Sequence, residues 1–455
     1  MSAAVDAAAG APAWSIQTIP DWKVFLRDLS CTSTTACIGV GQNLRATGVE
    51  RWDGAQWSTQ PTPSPTGSDS SYLDGVSCTS STYCAAVGSA DRFLPNGNAT
   101  SSTLAERWDG KRWTIQSTPN RPQAPYNHLL RVSCTSDTAC TAVGVSYDRG
   151  LVEHWDGRRW SIQPTPLPEG AASVELADVS CTSSIDCTAV GDYRVSANPD
   201  IGGVTLAERW DGRRWSLQTM PQPMGETYSS LNGVSCSASG ACTAVGDAEI
   251  DLPTGNVIRV TLAERWDGTR WTIQSTPNRP DAVWHHLADL SCASRTACTA
   301  VGGFSSRYGS PPRILVERWD GVGWSIEPTP QPGELGGVSC TSSRLCTAVG
   351  GSQVAQSMGV PTLKPGSPQL TSTPSVCVRT LSLRVDGRDI SSVIWSLDGR
   401  SIRGRSEHPG TRYAVSIRLS PGAHDLTVEV DFRHRRSRTF HRTVYGCPLV
   451  PPVTG

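Results

Sequence analysis

Seven cysteine pairs, each separated by five residues, constrain this chain more than any other feature. They fall at Cys31/Cys37, Cys78/Cys84, Cys134/Cys140, Cys181/Cys187, Cys236/Cys242, Cys292/Cys298 and Cys340/Cys346, with first cysteines 47 to 56 residues apart. A period of that size is the mark of propellers, solenoids or arrays. Each pair sits in the same unit, clearest over 134–166, where a V-S-C…C-T-A-V-G stretch is followed by L-V-E-H-W-D-G-R-R-W-S-I-Q.

Four short strands are expected per unit. Strand a is L-x-x-[VL]-S-C, strand b is C-x-[AG]-V-G, strand c is L-x-E-x-W-D and strand d is W-[ST]-[ITL]-[QE]. Short β-branched and aromatic runs cut by Gly and Pro read as strands, and no long 3.6-residue apolar period suggests helix. At the c–d corner, Asp109-Gly110-Lys111-Arg112 suits a two-residue type II′ hairpin with Gly first. That register sets Trp108 opposite Trp113 and Asp109 opposite Arg112, a pairing repeated at Asp156/Arg159, Asp211/Arg214 and Asp267/Arg270. The tryptophans are expected to pack between sheets.

The cysteines of each a–b corner can face each other across a hairpin, at about 4.5 to 5.5 Å between Cα atoms, within disulfide range. Such a bond staples its own corner. Free buried thiols and a metal are the alternatives, but no unit supplies the four ligands zinc prefers. Pairing of Cys377 with Cys447 makes eight expected disulfides and points to an oxidising compartment, hence a secreted or cell-surface protein. Residues 1–13 are Ala-rich without a basic start or true apolar core; they read as a disordered segment and not as an evident signal peptide. No apolar run is long enough to span a membrane.

Val301-Gly302-Gly303, followed by Glu317-Arg318-Trp319-Asp320-Gly321 and Trp324, resembles a kelch motif. With its cysteine pair, the whole unit is similar to secreted bacterial repeat proteins. The resemblance covers residue 14 to about 366 and implies a four-stranded propeller blade. The second glycine occurs only at Gly303 and Gly351, and the turn is shorter than in kelch.

The fold class expected is all-β: a seven-bladed β-propeller over 14–364, followed by a small sandwich. Trp14 to Pro20 is a strand d with no a, b or c before it, and Leu335 to Gly350 supplies a and b with no W-D-G after them. Together they form a closing blade (14–20 and 335–364), which removes exposed edges. Its strand c is placed at Val360–Leu363. Residues 365–375 are a Pro/Ser/Thr linker. The 376–455 module has alternating runs at 380–385, 393–397, 413–419, 425–432 and 439–445. Its Trp395–Arg400 and Gly422–Leu426 segments resemble a small immunoglobulin-like sandwich. It is basic, notably at Arg433, Arg435, Arg436, Arg438 and Arg442, and the rest of the chain carries the compensating acidic excess. A cell-wall polymer is the partner that charge suggests. Arginine in place of lysine reads as codon bias, and no nucleic acid is expected.

In such a blade the a–b and c–d corners share one face and the b–c and d–a loops the other. Corners repeat; loops differ in every unit, and function on a rigid scaffold tends to sit there. Candidate binding residues are Tyr126, His128, Tyr193, Tyr228, Trp284, His285, His286 and Tyr308. His128 and His286 share one repeat position just before strand a, where other units carry Phe25, Tyr72, Glu175, Ser230 and Glu334. Such a ring crowns the channel mouth, but the two histidines lie on distant blades, so no metal and no cofactor is expected. No nucleophile elbow, P-loop, zincin or dinucleotide fingerprint occurs in a supporting context. The expected role is non-enzymatic recognition, by a monomer, of a protein or glycan on the loop face. The alternatives are a glycan-active hydrolase or lyase, such as a sialidase-like propeller enzyme, or a multivalent lectin.

Overall fold

A computed structural model describes residues 14–19, 23–195, 202–222, 226–252, 255–329, 332–343, 345–357, 369–372, 380–386, 390–402, 405–408, 412–418, 422–432 and 438–446. These residues form strands and no helix, and no helix is therefore long or apolar enough to cross a membrane. Seven antiparallel sheets of four strands each account for residues 14–357. They fit a seven-bladed β-propeller.

Blades 1 to 6 begin at Val24, Ser70, Asn127, Ser173, Glu226 and Trp284, and in each the strands lie in the order a-b-c-d. The closing blade joins the chain ends. Trp14–Thr18 pairs antiparallel with Gln353–Ser357, next to Cys346–Gly350 and Gly337–Cys340. Strand c of this blade is thus Gln353–Ser357, not the expected Val360–Leu363, which lies outside the described residues. The chain turns back at once after Gly350, with Gly351 at φ 61°, so the strand follows the hairpin directly and needs no proline.

The N-terminal strand is seated as a regular strand d. In blades 3 and 4 the strand-d tryptophan donates its indole N–H to the strand-d glutamine of the preceding blade: Trp160 to Gln116 and Trp215 to Gln163, at 3.0 and 2.8 Å. Trp14 makes the same contact to Glu327 of blade 6, and Trp57 of blade 1 makes it to Gln17, at 2.8 and 3.1 Å.

Each cysteine pair is a disulfide: Cys31–Cys37, Cys78–Cys84, Cys134–Cys140, Cys181–Cys187, Cys236–Cys242, Cys292–Cys298 and Cys340–Cys346. The Cα atoms are 3.9 to 4.0 Å apart, closer than expected. The reason lies in the first cysteine's N–H, which points away from its partner and donates to a serine of the neighbouring blade. The pair is therefore of the narrow, non-hydrogen-bonded kind. That serine contact runs round the ring without a break. Ser30, Ser77, Ser133, Ser180, Ser235, Ser291 and Ser339 each accept, at 3.0 Å, from the cysteine one blade on, and Ser339 closes the circle onto Cys31.

The bonds are also more than staples of their own corners. Cys140, Cys187, Cys242 and Cys298 are only 1 to 2 % exposed, and each is part of the apolar layer between two blades. Cys140 packs with Tyr83, Ala85 and Val87 of blade 2, Cys187 with Val143 and Val152 of blade 3, Cys242 with Val190 and Ala207 of blade 4, and Cys298 with Val245 and Ala263 of blade 5. Alternation along strand b is the cause, because it turns the second cysteine towards the preceding sheet. Each sulfur meets a hydroxyl there. Cys140 Sγ lies 3.7 Å from the Tyr83 hydroxyl, and Cys187, Cys242 and Cys298 Sγ lie 3.8, 3.7 and 3.8 Å from those of Thr141, Thr188 and Thr243. A disulfide sulfur carries no proton, so the hydroxyls are the donors. Cys377 and Cys447 lie outside the described residues. Seven disulfides fit an oxidising extracellular environment.

The c–d corners follow the expected register, with Trp108 opposite Trp113 and their rings 5.7 Å apart. Both are buried against Ile38, Val40 and Val49 of blade 1, so the tryptophans are interblade packing. The corner glycines hold φ between +88° and +102°, where a side chain is strained. The aspartate does more as a turn cap than as a charge partner. Asp109 Oδ1 accepts from Lys111 and Arg112 N–H at 2.9 Å, whereas the Arg112 guanidinium stays 3.9 Å away. Both corner types share a face: Trp108 donates to Ser81 O, and Trp155 to Asp137 O, in the a–b turns.

One strand-a position faces the axis in each blade: Asp28, Gly75, Arg131, Asp178, Gly233, Asp289 and Gly337. Each aspartate clamps two blades. Asp28 accepts from its own Leu29 N–H and from Val76 N–H of the next blade, both at 2.8 Å. Asp178 and Asp289 do the same with Val234 and Val338. Arg131 reaches across the axis, donating to Asp74 O at 2.6 Å and to Gly336 O of the closing blade at 3.3 Å. Burial raises the three aspartates' pKa, Asp178 to about 7, against the opposing pull of Arg131.

Beyond residue 368 two further four-stranded antiparallel sheets form, and each of the five alternating runs coincides with one of their strands over its described residues. Gln369–Ser372, inside the expected linker, pairs as a strand with Thr380–Asp386.

Candidate functional site

Strand a enters each blade from the loop face, so its first residues ring the channel mouth. There the blades differ in chemistry. Cross-strand neighbours at this level are Phe25/Gln42, Tyr72/Ser89, His128/Val145, Glu175/Asp192, Ser230/Asp247 and His286/Gly303. Blades 1 to 3 thus present an aromatic arc, and blades 4 to 6 an acidic one. Gly303 is small because a Cβ there would meet the Glu334 side chain at 3.1 Å, which brings the closing blade's carboxyl beside blade 6.

The acidic arc is a connected cluster. Asp247 Oδ1 accepts from His286 Nδ1 at 2.8 Å and from Asn232 Nδ2 at 3.1 Å. Arg259 stands 3.3 Å from Asp247 Oδ2, donates to Glu249 at 2.6 Å and covers the Tyr228 ring. Burial works against the His286 cation, but the hydrogen bond and charge of Asp247 outweigh it, so its pKa is raised. Trp284 stacks on His286, with centroids 5.7 Å apart. On blade 4, Asp192 is pushed up to about 7, first by burial and then by Glu175 opposite it; burial also raises Glu175. Asp192 is therefore partly protonated near neutral pH, opposite a second buried carboxyl.

The aromatic arc is quieter. His128 approaches the Tyr72 hydroxyl at 3.5 Å, edge to face, and burial lowers its pKa. Arg27 lies over Tyr72 and pairs with Asp74.

Of the eight residues expected from the sequence, the fold brings Tyr228, Trp284 and His286 into the blade 5–6 cluster. Tyr308 stands nearby at 51 % exposure, its hydroxyl pKa raised by burial and then by Glu249. Tyr126 is 43 % exposed on blade 3. Tyr193 packs against the blade 4 core, and His128 sits on the opposite arc from His286. His285 is buried. It is 2 % exposed, accepts Arg279 N–H at Nε2 and meets Arg259 O at Nδ1, so it pins the d–a loop to strand c of blade 5. Among the described residues no three His, Cys, Asp or Glu side chains converge as metal ligands.

Sequence reading missed Asp192, Asp247 and Arg259. The signal was available in the residue after V-G of strand b, which runs Gln42, Ser89, Val145, Asp192, Asp247, Gly303, Gly351 and differs almost everywhere. It placed Phe25 in the ring at the channel mouth without naming it a binding candidate, and it missed Phe93 and Tyr147. With Tyr126 and Tyr308 these are the five aromatic side chains most exposed among the described residues, and all five lie on the loop face.

No family model matches the chain, and no curated protein matches it. Solved structures with similarity include a streptogramin B lyase (TM-score 0.47, 9 % identity, covering 75 % of this chain and 96 % of that one). A catalytically inactive virginiamycin B lyase from Staphylococcus aureus, with quinupristin, has TM-score 0.45 and 8 % identity, covering 75 % and 98 %. An α-L-arabinanase from Penicillium chrysogenum, complexed with arabinobiose, has TM-score 0.35 and 10 % identity, covering 58 % and 91 %. At these values the likenesses carry no functional argument, and the seven sheets themselves define the fold.

Proposed function

We propose that this is an exported recognition protein that binds a protein or glycan partner across several blades of the loop face, around the channel mouth. The observation that supports this most is the placement of the five most exposed aromatics, all on the loop face. Exposed aromatic rings are costly to display and dominate binding hot spots. On the same face, Asp247, His286, Arg259, Glu175 and Asp192 offer donors and acceptors that can bracket hydroxyl or amide groups. The C-terminal sheets fit an immunoglobulin-like appendage to this propeller.

A glycan array, with binding to secreted or surface proteins measured in parallel, tests the reading. The Trp284→Ala, Tyr308→Ala double variant should weaken binding by roughly 1 to 3 kcal/mol while the melting temperature stays nearly unchanged. Trp108→Ala in a corner should do the reverse. Loss of binding in a folded corner variant, with loop variants unaffected, would reverse the assignment of faces.

A glycan-cleaving enzyme is a second reading, and the Glu175–Asp192 pair favours it. A carboxyl titrating near 7 next to another is a candidate proton donor. Release of reducing ends from the array's best ligand, abolished by Asp192→Asn, would select it.

A further inference from the structure

The corner face carries a charge pattern that the fold does not need. The two residues after Asp-Gly in the c–d turns are Ala55-Gln56 in blade 1 and Val322-Gly323 in blade 6, but Lys111-Arg112, Arg158-Arg159, Arg213-Arg214 and Thr269-Arg270 in blades 2 to 5. The turn itself is the same in all six. Asp53 accepts from Ala55 and Gln56 N–H at 2.8 Å, and Asp320 from Val322 and Gly323 at 2.9 and 3.0 Å. Asp156 accepts from Arg158 and Arg159 at 2.8 Å, and Asp211 from Arg213 and Arg214 at 2.8 and 2.9 Å. Uncharged turns close as well as charged ones, so the cations are not there to make the hairpin.

Nor do they pair strongly. Arg112, Arg159 and Arg270 keep 79, 82 and 78 % of their side chains exposed, and their nearest carboxylates are 3.9 to 4.0 Å away. Those carboxylates are already engaged by turn N–H groups, which are the larger cause of their lowered pKa in Asp109 and Asp156. Exposed pairs of this length contribute little. What remains is an arc of seven cations against four turn aspartates over four consecutive blades, on a propeller whose overall charge is acidic.

We propose that this arc binds a linear polyol-phosphate polymer, laid across the c–d turns of blades 2 to 5. Adjacent arginines present guanidinium forks that match phosphate geometry bidentately. A line of separate cation pairs suits a ligand whose charges repeat along a chain. Among the described residues the most exposed aromatics all lie on the other face, and the arc's own tryptophans are at most half-exposed, which disfavours single-stranded nucleic acid. Docked by its corners, the protein holds its loop face away from the polymer.

The test uses the full chain with disulfides intact and a poly(glycerol phosphate) oligomer as probe. One variant gives blades 3 and 4 the blade 1 turn, Arg158→Ala, Arg159→Gln, Arg213→Ala and Arg214→Gln, a sequence this fold already accommodates. A second replaces Arg433, Arg435 and Arg436 in the C-terminal module by Ser. The turn variant should bind at least tenfold more weakly at about 50 mM salt, with a shallower dependence on salt. The module variant should bind like the parent. Loss only in the module variant would overturn the proposal, as would equal or tighter binding of hyaluronan or a single-stranded DNA oligomer at the arc. Loop-face binding measured on the same turn variant separates this failure from failure of the loop-face reading.

Discussion

Glu208 in strand c of blade 4 has no exposure, and neither of its carboxyl oxygens has a hydrogen-bond partner among the described residues. Burial alone pushes its pKa up to about 8. The unfolded chain titrates near the ordinary value of about 4.5, so between these two values folding must take up a proton. A raised folded pKa contributes stability that is complete below the unfolded value and is lost as pH rises through the folded one. The difference of about 3.5 units corresponds to about 4.8 kcal/mol at 1.36 kcal/mol per unit. That is an upper bound, because water entry and relaxation reduce it. Glutamine cannot ionise in either state. Glu208→Gln should therefore match the parent within about 0.5 kcal/mol at pH 4, and exceed it by roughly 1 to 4 kcal/mol at pH 8. Urea unfolding at the two pH values, with disulfides intact, measures this. A variant that is equally destabilised at both values would refute the argument, and so would parent stability that does not fall from pH 4.5 to 8. Glu106 and Glu153 are also raised to about 8, so the parent's decline is steeper than one group gives. At the acid end the turn aspartates work oppositely. Asp267 is lowered to about 2, chiefly by Thr269, and such groups lose their contribution as pH falls towards that value. Stability should peak near pH 4 to 5.

Two other outcomes are expected. Reduction should raise the intact mass by about two units for each of the seven propeller disulfides, and free thiols in most pairs of exported protein would contradict the corner geometry. Deleting residues 1–20 removes Trp14–Thr18 and leaves the Gln353–Ser357 edge unpaired; the truncated protein should melt several degrees lower or aggregate, and unchanged melting of a monomer would rule out the shared blade.

The blade count, the strand-d role of Trp14 and the corner register were legible because they repeat. One unit could be checked against six others, and the tryptophan and glycine positions have only one sensible place in a hairpin. The cysteine pairing was legible from spacing, but the interblade seat of Cys140, Cys187, Cys242 and Cys298 was not, because it depends on which sheet lies behind strand b. The mouth cluster was only half legible. Trp284 and His286 stand out as unusual residues in the d–a loop. Asp247 and Arg259 are ordinary residues, and they matter only because strands b and c bring them beside strand a. Nothing local distinguishes His285 from His286; alternation along a strand sends one inward and the other to the mouth. Strand c of the closing blade was misplaced because Gln353–Ser357 lacks the L-x-E-x-W signature that marks strand c in the other blades.

The axial position has a parity. Asp28 with Gly75, Asp178 with Gly233, and Asp289 with Gly337 are two-blade couples, in which a carboxylate reaches over and the neighbour has no side chain. Each glycine then abuts the backbone of the following blade, with a Cβ excluded at 2.7 to 2.9 Å. Three couples tile six blades, and seven is odd. Arg131 occupies the remaining place, supplying the single cation among the aspartates. Blades that look interchangeable at the rim are therefore not interchangeable at the centre. Permuted chains that keep the couples whole should close, whereas excising one blade would strand a carboxylate or crowd a glycine. The symmetry of this ring is that of three pairs and a keystone.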